Sequence, residues 1–388
     1  MTECIQCLDD IKHPMGQIID DSGLCTGCLT HEEKDCIDWV DKWHQLEQKC
    51  QIIKKRNNAK YDCIIPLNAD AEDYFVVENV LKLNLRPLLV YVNNYFGTDL
   101  SWRNLHNLET HFDLDLITFN PNGAIYKEAV RTSLRKHNSI YWPYQALKTA
   151  YPTRLALEMK IPLIVWGGLQ ATEQTGKFSH HDMVEMSGWS RNQHDLFCVD
   201  ENELFGTGAQ ISELNQYHYR YPEIKIASQI TGIYLSNYIR WDPWKQNHDM
   251  LKYGFSPEKL KYTFDQFERA GSSIFYKIHD ILRYEKHGYL KVRDQLSREI
   301  RHGRITKDAA LLLYDVFLSK KIDIDPFFKW LGASRTGIDL FIRNRLAKSA
   351  HFIGSDSENT DFDVNFNSSY ISEGEDPKEF FLNYYKGI

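Results

Sequence analysis

Short apolar runs alternate with amphipathic stretches over the first two thirds of this chain. The runs that predict buried strands span residues 61–67, 86–92, 114–119, 162–166 and 232–235. Apolar residues at helical spacing predict helices over residues 37–57, 72–83, 100–112, 123–136 and 144–159. Because alternating strands and helices are typical of a parallel, doubly wound sheet, residues 37–240 are predicted to form an α/β domain.

Beyond residue 241 the pattern is helical, and residues 241–353 are predicted to form a helical C-terminal region. The helices are expected at 257–269, 274–287, 289–302, 306–320 and 335–348. Residues 354–388 are acidic and rich in Asn and Ser, which predicts a loosely packed tail. The polar residues 167–225 predict a long insertion over the C-terminal edge of the sheet, where His180 and His181 are either acid–base residues or simply exposed.

Charge and hydropathy exclude several classes of protein. The net charge is −7 and no long Lys/Arg run occurs, which argues against a dedicated nucleic-acid binder. No apolar run approaches the roughly 20 residues that span a bilayer. The N-terminal residues lack the basic and apolar parts of a signal peptide, so we expect a cytoplasmic protein without a membrane anchor.

Four cysteines near the N-terminus follow the spacing C-x2-C-x17-C-x2-C, at Cys4, Cys7, Cys25 and Cys28. Each C-x2-C pair can present two thiolates to one metal, and four thiolates in a tetrahedral shell suit Zn²⁺. The sequence therefore predicts a structural zinc knuckle over residues 1–36. A closed Cys₄ shell leaves no position open for catalysis. Redox cycling of the two pairs is the alternative.

Further short motifs follow the cysteines in a characteristic order. They are Tyr61-Asp62-Cys63, Arg103-Asn104-Leu105, Phe119-Asn120-Pro121-Asn122, Ile161 to Gly167, Ile278-His279-Asp280, Lys286-His287-Gly288-Tyr289 and Arg298 to Arg304. Together with the cysteines they resemble the N-acetyl sugar amidotransferase family of bacterial lipopolysaccharide and nonulosonic-acid biosynthesis. The resemblance implies a Cys₄ knuckle in front of a domain of the adenine-nucleotide-hydrolase (HUP/PP-loop) type.

The same resemblance implies an activity. Family members are thought to activate the N-acetyl carbonyl of a sugar by adenylation with ATP. Ammonia from a partner glutaminase complex then displaces AMP and leaves an acetamidino group. A nucleotide of this kind is held by backbone N–H groups at a helix N-terminus.

The expected nucleotide loop is altered in this chain. The family reads Ser-Gly-Gly-x-Asp-Ser where this chain has Asn68, Ala69, Asp70, Ala71, Glu72 and Asp73. Both glycines are lost, so Cβ atoms obstruct the approach of a phosphate. The three carboxylates suit a helix N-terminus but repel a triphosphate, by roughly 1 to 4 kcal/mol for each contact at about 4 Å. Alternatively, they hold Mg²⁺ that bridges to phosphates.

Two more departures lie around the same predicted pocket. The family has Trp-Gly-Glu after the fourth strand, whereas this chain has Trp166, Gly167 and Gly168. Many relatives carry cysteines near Trp-Pro, and this chain has Tyr141-Trp142-Pro143-Tyr144. The degenerate loop therefore predicts impaired or lost ATP chemistry.

The C-terminal motifs supply candidate residues for binding a sugar or an anion. These candidates are Trp241, His279, Asp280, Arg298, Arg301 and Arg304. Arginine suits bidentate contacts with carboxylate or phosphate. The alternative is that the three arginines form a solvated or salt-bridged helix face. Trp241 and Trp244 either stack on a sugar ring or pack in the core.

Three hypotheses for the function follow. The first is a working amidotransferase with a rebuilt nucleotide loop. The second is a non-catalytic scaffold or regulator that binds a sugar and acts on an active homologue or on an ammonia-supplying glutaminase complex. The third is a tRNA-thiolase-like RNA-modifying protein, because such enzymes also join zinc knuckles to PP-loop domains.

Overall fold

A five-stranded parallel sheet forms the centre of the protein in a computed structural model, which describes residues 2–205, 216–259 and 262–354. The strands are β1 (Cys63–Leu67), β2 (Pro87–Val92), β3 (Leu116–Phe119), β4 (Leu163–Trp166) and β5 (Thr231–Tyr234). They lie in the order β3-β2-β1-β4-β5, with every pair parallel. The predicted parallel α/β sheet is therefore confirmed, whereas residues 355–388 of the predicted tail lie outside the described residues.

Helices surround the sheet and fill the C-terminal region. In chain order they are α1 (Thr26–Glu33), α2 (Trp39–Arg56), α3 (Ala71–Lys82), α4 (Asp99–Phe112), α5 (Gly123–His137), α6 (Tyr141–Glu158), α7 (Gln170–Glu173), α8 (Gly188–Ser190), α9 (Ile224–Ala227), α10 (Pro243–His248), α11 (Ser273–His287), α12 (Lys291–Arg301), α13 (Lys307–Leu318), α14 (Asp325–Trp330) and α15 (Arg335–Arg345). In the part of the chain that the structure describes, none of them has the length and apolarity to cross a bilayer.

Side chains of β1 alternate between two cores on opposite faces of the sheet, as the period of a strand requires. Ile65 belongs to the core that contains Val77 of α3. Its neighbour Ile64 belongs to the core that contains Ala156 of α6. Because both faces are covered by helices, all five residues of β1 are buried.

The segment predicted as a helix at 257–269 is irregular over its described residues, so that prediction was wrong. The Asp265 carboxylate accepts the backbone N–H groups of Phe267 (3.0 Å) and Glu268 (3.1 Å). The same carboxylate pairs with Arg298 of α12 at 2.7 Å. A side chain that binds the local backbone competes with the helical ladder, and here the ion pair stabilises the turn.

The N-terminal module is joined to the C-terminal helices by polar contacts. The Lys307 ammonium of α13 donates to the carbonyl of Cys4 at 2.6 Å. The Arg293 guanidinium of α12 donates to the Leu8 carbonyl and pairs with Asp10 at 3.1 Å. The knuckle, α12 and α13 therefore pack as neighbours although nearly 300 residues separate them in sequence.

The strand order reverses between β1 and β4, so the chain leaves these two neighbours in opposite directions. In doubly wound sheets, ligands bind at this point, beyond the carboxyl ends of the strands. Residues 68–73 follow β1 and residues 167–168 follow β4. The fold therefore brings the two altered segments of the sequence to the edge where a ligand is expected.

Candidate functional site

The four cysteines of the knuckle form a buried cluster whose sulfur atoms all lie within 4.8 Å of one another. The Sγ atoms of Cys4 and Cys28 are 3.8 Å apart, and those of Cys7 and Cys25 are 3.5 Å apart. Tetrahedral Zn–S bonds of about 2.3 Å require sulfur separations of about 3.8 Å. The predicted metal-binding arrangement is thus present, and Zn²⁺ as its occupant stays a prediction.

Arg301 of α12 contacts this cluster. Its Nη2 is 3.5 Å from the Cys25 sulfur and 3.7 Å from the Cys7 sulfur, and it also pairs with Asp9. Its Nη1 donates to the Gln174 carbonyl at 2.6 Å. The side chain is 1% exposed. The structure therefore places Arg301, a candidate for sugar or anion binding, in contacts that neutralise thiolate charge.

A cavity of about 500 Å³ lies at the carboxyl edge of the sheet, between the knuckle, α6, α11 and α12. Its floor is formed by residues 68–73 after β1 and by residues 166–170 at the end of β4. Its walls include Lys148 of α6 and His279 of α11. This volume falls in the range of small-molecule sites, roughly 300 to 1,000 Å³. The cavity is the candidate functional site.

The loop after β1 closes on its own carboxylate. The Asp73 side chain accepts the backbone N–H groups of Asn68 (2.9 Å), Ala69 (2.6 Å) and Asp70 (3.3 Å). Ala69 has φ +65°, a left-handed conformation that favours glycine. The loop thus forms a backbone nest of the kind that binds anions, and Asp73 fills it.

Glu72 reaches across to the segment after β4. Its Oε1 accepts the Gly168 N–H at 3.0 Å, and a Cβ added to Gly167 would lie 1.8 Å from that oxygen. A Cβ added to Gly168 would lie 2.7 Å from Nε1 of Trp241. The two predicted segments are therefore in contact, and a side chain at Gly167 or Gly168 would displace Glu72 or Trp241.

Trp241 is a core residue. It is 2% exposed and packs edge-to-face on Phe75 of α3, with ring centroids 5.5 Å apart. Trp244 packs similarly against Phe267 at 5.7 Å. The core alternative therefore describes Trp241, although its edge reaches the cavity lining, whereas Trp244 is partly buried at the margin of the core.

Burial shifts the ionisation of the acidic residues at the cavity floor. Burial, followed by the charge of Glu72, raises the pKa of Asp70 to about 8. Burial likewise raises the pKa of Glu72 to about 7 and that of Asp73 well above its usual range. Burial lowers the pKa of Lys148, against the attraction of Asp70. Groups with displaced pKa values in a cleft are typical of functional sites.

The described carboxylates of the cavity floor are not arranged to bind Mg²⁺ together. Within residues 2–205, 216–259 and 262–354, two groups place ligand atoms close enough for a metal, the cysteine cluster and a set of Asp9, His13 and Asp294. The three floor carboxylates are in neither, because Asp73 faces the loop backbone and Glu72 faces Gly168. In the second group, the Asp9 carboxylate already accepts hydrogen bonds from Ser297 (2.8 Å) and Gln17 (2.7 Å).

Asp70→Asn is expected to change the pH dependence of stability. A carboxyl whose pKa rises from 3.8 to about 8 on folding stabilises the protein fully below pH 4, and this contribution is lost as pH rises towards 8. The amide keeps the N-cap but cannot ionise. We expect the variant to be more stable than wild type by about 2–5 kcal/mol at pH 8.5 and nearly equal at pH 4.

Urea unfolding at both pH values measures this difference. The matched control is Asp38→Asn, because Asp38 is the exposed N-cap of α2. Asn caps a helix about as well as Asp, so this control should change stability by less than about 1 kcal/mol. Equal effects of Asp70→Asn at pH 4 and pH 8.5 would contradict the raised pKa.

Of the other predicted residues, His279 lies in the cavity wall and Asp280 lies behind it. His279 stacks on Tyr141 at 4.7 Å, and its Nδ1 is buried without a hydrogen-bond partner. Burial, followed by Arg269, lowers its pKa well below the usual range. Asp280 accepts the Lys291 N–H at 3.3 Å, and it lies outside the cavity lining.

The remaining arginine candidates are engaged in ion pairs. Arg298 pairs with Asp265 at 2.7 Å and with Glu299 at 2.6 Å. Arg304 pairs with Asp242 at 2.8 Å and with Glu299 at 2.5 Å. The salt-bridged alternative therefore describes Arg298 on α12 and Arg304 just beyond its end, and both side chains are largely buried.

The two neighbouring histidines of the insertion have different environments. His180 is buried beside Trp39, with ring centroids 5.8 Å apart, and neither ring nitrogen has a hydrogen-bond partner. His181 is exposed. Neither lines the cavity, so the structure does not bring them to the candidate site.

The sequence did not indicate several of the residues that line the cavity. They are Lys148, Asp195, Arg269, Tyr276, Arg283 and Lys291. Each stands alone in its segment, without a motif that marks it. Lys148 could have been found from its place on α6, since a charged residue between buried Leu147 and Thr149 indicates a polar interior.

Comparison with known proteins concerns the C-terminal region. Residues 252–359 match the family described as "LPS biosynthesis protein WbpG-like, C-terminal domain". No curated protein matches the chain. The matched region includes α11 and α12, which carry His279 and Arg298 in the cavity wall. The part of the chain that closes the candidate site is thus similar to the C-terminal domain of WbpG-like proteins of lipopolysaccharide biosynthesis.

Proposed function

We propose that this protein acts in lipopolysaccharide biosynthesis as a member of the N-acetyl sugar amidotransferase type that binds a sugar but no longer uses ATP. The observation that carries the proposal is the Asp73 carboxylate, which accepts the N–H groups of Asn68, Ala69 and Asp70. A triphosphate needs those donors, and here they are saturated by the protein itself.

Displacing Asp73 would be costly. Its carboxyl is buried, and removing its partners would leave a buried polar group unsatisfied, at about 1–3 kcal/mol or more. An incoming triphosphate would also meet Asp70 and Glu72 on the same floor. Above their raised pKa values of about 8 for Asp70 and about 7 for Glu72, each ionised contact at about 4 Å adds roughly 1–4 kcal/mol of repulsion. These costs together support the loss of ATP binding.

The cavity itself is suited to a ligand rich in hydroxyl and amide groups. Buried polar atoms in its wall lack protein partners, among them Oδ1 of Asn138, Oε1 of Gln145 and Nδ1 of His194. Such atoms are normally hydrogen-bonded, so a ligand or water is expected to satisfy them. Trp142 lines the same cavity half-buried and offers ring surface to a ligand, and Tyr141 lines it with one face stacked on His279.

A protein that cannot activate the carbonyl leaves the chemical step to another chain. We therefore place this protein beside an active amidotransferase homologue or an ammonia-supplying glutaminase complex, as a scaffold or regulator that holds the sugar. The RNA-modification hypothesis gains no support, because the described cavity lining contains no cysteine that could carry sulfur.

Calorimetric titration of the metal-loaded protein with ATP and Mg²⁺ is expected to show no binding up to about 1 mM. Micromolar binding of ATP would overturn the proposal. The Glu72→Gln/Asp73→Ala double variant removes both carboxyl groups and frees the backbone N–H groups of Asn68, Ala69 and Asp70. If the carboxylates are what exclude the nucleotide, this variant gains measurable affinity for ATP, by about tenfold or more over wild type.

A further inference from the structure

Arg269 lines the cavity, and one nitrogen of its guanidinium makes no hydrogen bond. It has φ +61°, in the left-handed region that a side chain of this size rarely adopts. Its Nη1 is buried and has no hydrogen-bond partner. Strained residues of this kind cluster at ligand-binding sites, where the surrounding structure maintains them.

Glu268 and Asp280 attract the guanidinium of Arg269 and raise its pKa, but no carboxylate oxygen of the described residues lies within hydrogen-bonding distance of it. The group lies 4.3 Å from the ring centre of Tyr276. The nearest carboxylate oxygen recorded for it is Oε1 of Glu268, 3.8 Å from its Nε. Glu268 is already shared, because it accepts from Gln295 at 2.9 Å and lies 3.4 Å from the Lys291 ammonium.

The other arginines in the cavity wall differ from Arg269 in this respect. Each has a carboxylate oxygen at 2.8 Å or less. The pairs are Arg283 with Asp294 (2.8 Å), Arg298 with Asp265 (2.7 Å) and Arg301 with Asp9 (2.5 Å). Among the arginines that line the described cavity, Arg269 is therefore the one without a carboxylate oxygen at hydrogen-bonding distance.

We propose that Arg269 binds the oxyanion of the ligand, a carboxylate or a phosphate carried by an N-acetyl sugar. This inference rests on the proposed function, because it requires that the cavity holds a sugar. A guanidinium seated on an aromatic ring offers two parallel N–H donors to such a group. His279, whose Nδ1 is also unpartnered, lies in the same wall and supplies a second contact.

Calorimetry with three probes tests the assignment: N-acetylneuraminic acid (a carboxylate), N-acetylglucosamine 1-phosphate and neutral N-acetylglucosamine. Wild type is expected to bind one of the charged probes at least about tenfold more tightly than the neutral one. Arg269→Gln should reduce that affinity to the level of the neutral probe. Arg269→Lys keeps the charge but not the two parallel donors, and should recover only part of it.

Lys55→Gln is the control, since it removes one positive charge from an exposed position outside the cavity lining. It should leave the preference for the charged probe within about twofold of wild type. Arg269→Gly is a second variant that removes the guanidinium and is expected to fold, because glycine accepts the positive φ without strain. We expect its thermal midpoint to equal or exceed that of wild type while the preference for an oxyanion is lost.

The outcomes separate this inference from the proposed function. Equal binding of all three probes by wild type would leave a sugar site in place and overturn the role of Arg269. An unchanged preference in Arg269→Gln or Arg269→Gly would do the same. No binding of any probe by wild type would overturn the proposed function and this inference together. The charged probe that responds to Arg269→Gln identifies the oxyanion as carboxylate or phosphate.

Discussion

Removing the metal from the Cys4, Cys7, Cys25 and Cys28 cluster is expected to unfold the knuckle and lower the thermal midpoint by about 10 °C or more. Without the ion, four buried sulfurs that lie within 4.8 Å of one another lose the bonds that hold them together. Metal binding in small zinc modules contributes about 10–16 kcal/mol to folding. Part of that free energy is replaced here by packing against α12 and α13, so the expected loss is smaller.

Loss of the metal should also disturb the cavity. Lys307 and Arg293 bind backbone carbonyls of residues 4 and 8, and His13 forms part of the cavity wall. Chelation should therefore also abolish binding of the sugar probe.

Elemental analysis gives the stoichiometry, expected to be one Zn²⁺ per chain, and differential scanning fluorimetry with and without a strong chelator gives the change in midpoint. Cys25→Ser should match the chelated protein, whereas Cys36→Ser, at an exposed position outside the cluster, should match wild type. A metal-free preparation with an unchanged midpoint would contradict the structural role of the ion.

Arg301→Met is expected to destabilise the protein by about 3–5 kcal/mol, the usual cost of breaking a buried ion pair from one side. The variant keeps most of the side-chain volume but leaves Asp9 without its cation. Asp9 would retain Tyr289 (3.0 Å) and Ser297 (2.8 Å), which satisfy its hydrogen bonds but not its charge. The thiolates of the cluster would lose their nearest guanidinium as well.

Urea unfolding of the metal-loaded protein measures this loss. Arg135→Gln is the control, because Arg135 is 62% exposed and its pair with Glu128 lies at the surface. Such a pair contributes about 0–1 kcal/mol, so the control should remain close to wild type. If Arg301→Met loses less than about 1 kcal/mol, the charge of Arg301 is not what holds the knuckle against α12.

The elements that sequence predicted correctly depend on local patterns. All five strands and most helices follow from hydrophobic periods of 2 and 3.6 residues. The cysteine cluster follows from the spacing of its two pairs, since each pair needs only one turn of chain to present two sulfurs. The loss of both glycines after β1 likewise indicated that this loop is altered.

Tertiary structure decided the roles of the charged and aromatic residues, because their partners lie far away in the sequence. Arg301 and Asp9 are 292 residues apart, and no local pattern links them. The helix predicted at 257–269 failed for the same reason, since Asp265 is held by Arg298 of α12.

The sequence by itself determined the parallel α/β sheet, the helical C-terminal region and a cysteine cluster suited to a metal. Only the tertiary structure decided that Asp73 fills the loop after β1, that Trp241 is core, and that Nη1 of Arg269 has no hydrogen-bond partner. The physical reason is that burial and pairing depend on which distant side chains meet, whereas strands, helices and short metal motifs depend on neighbours along the chain.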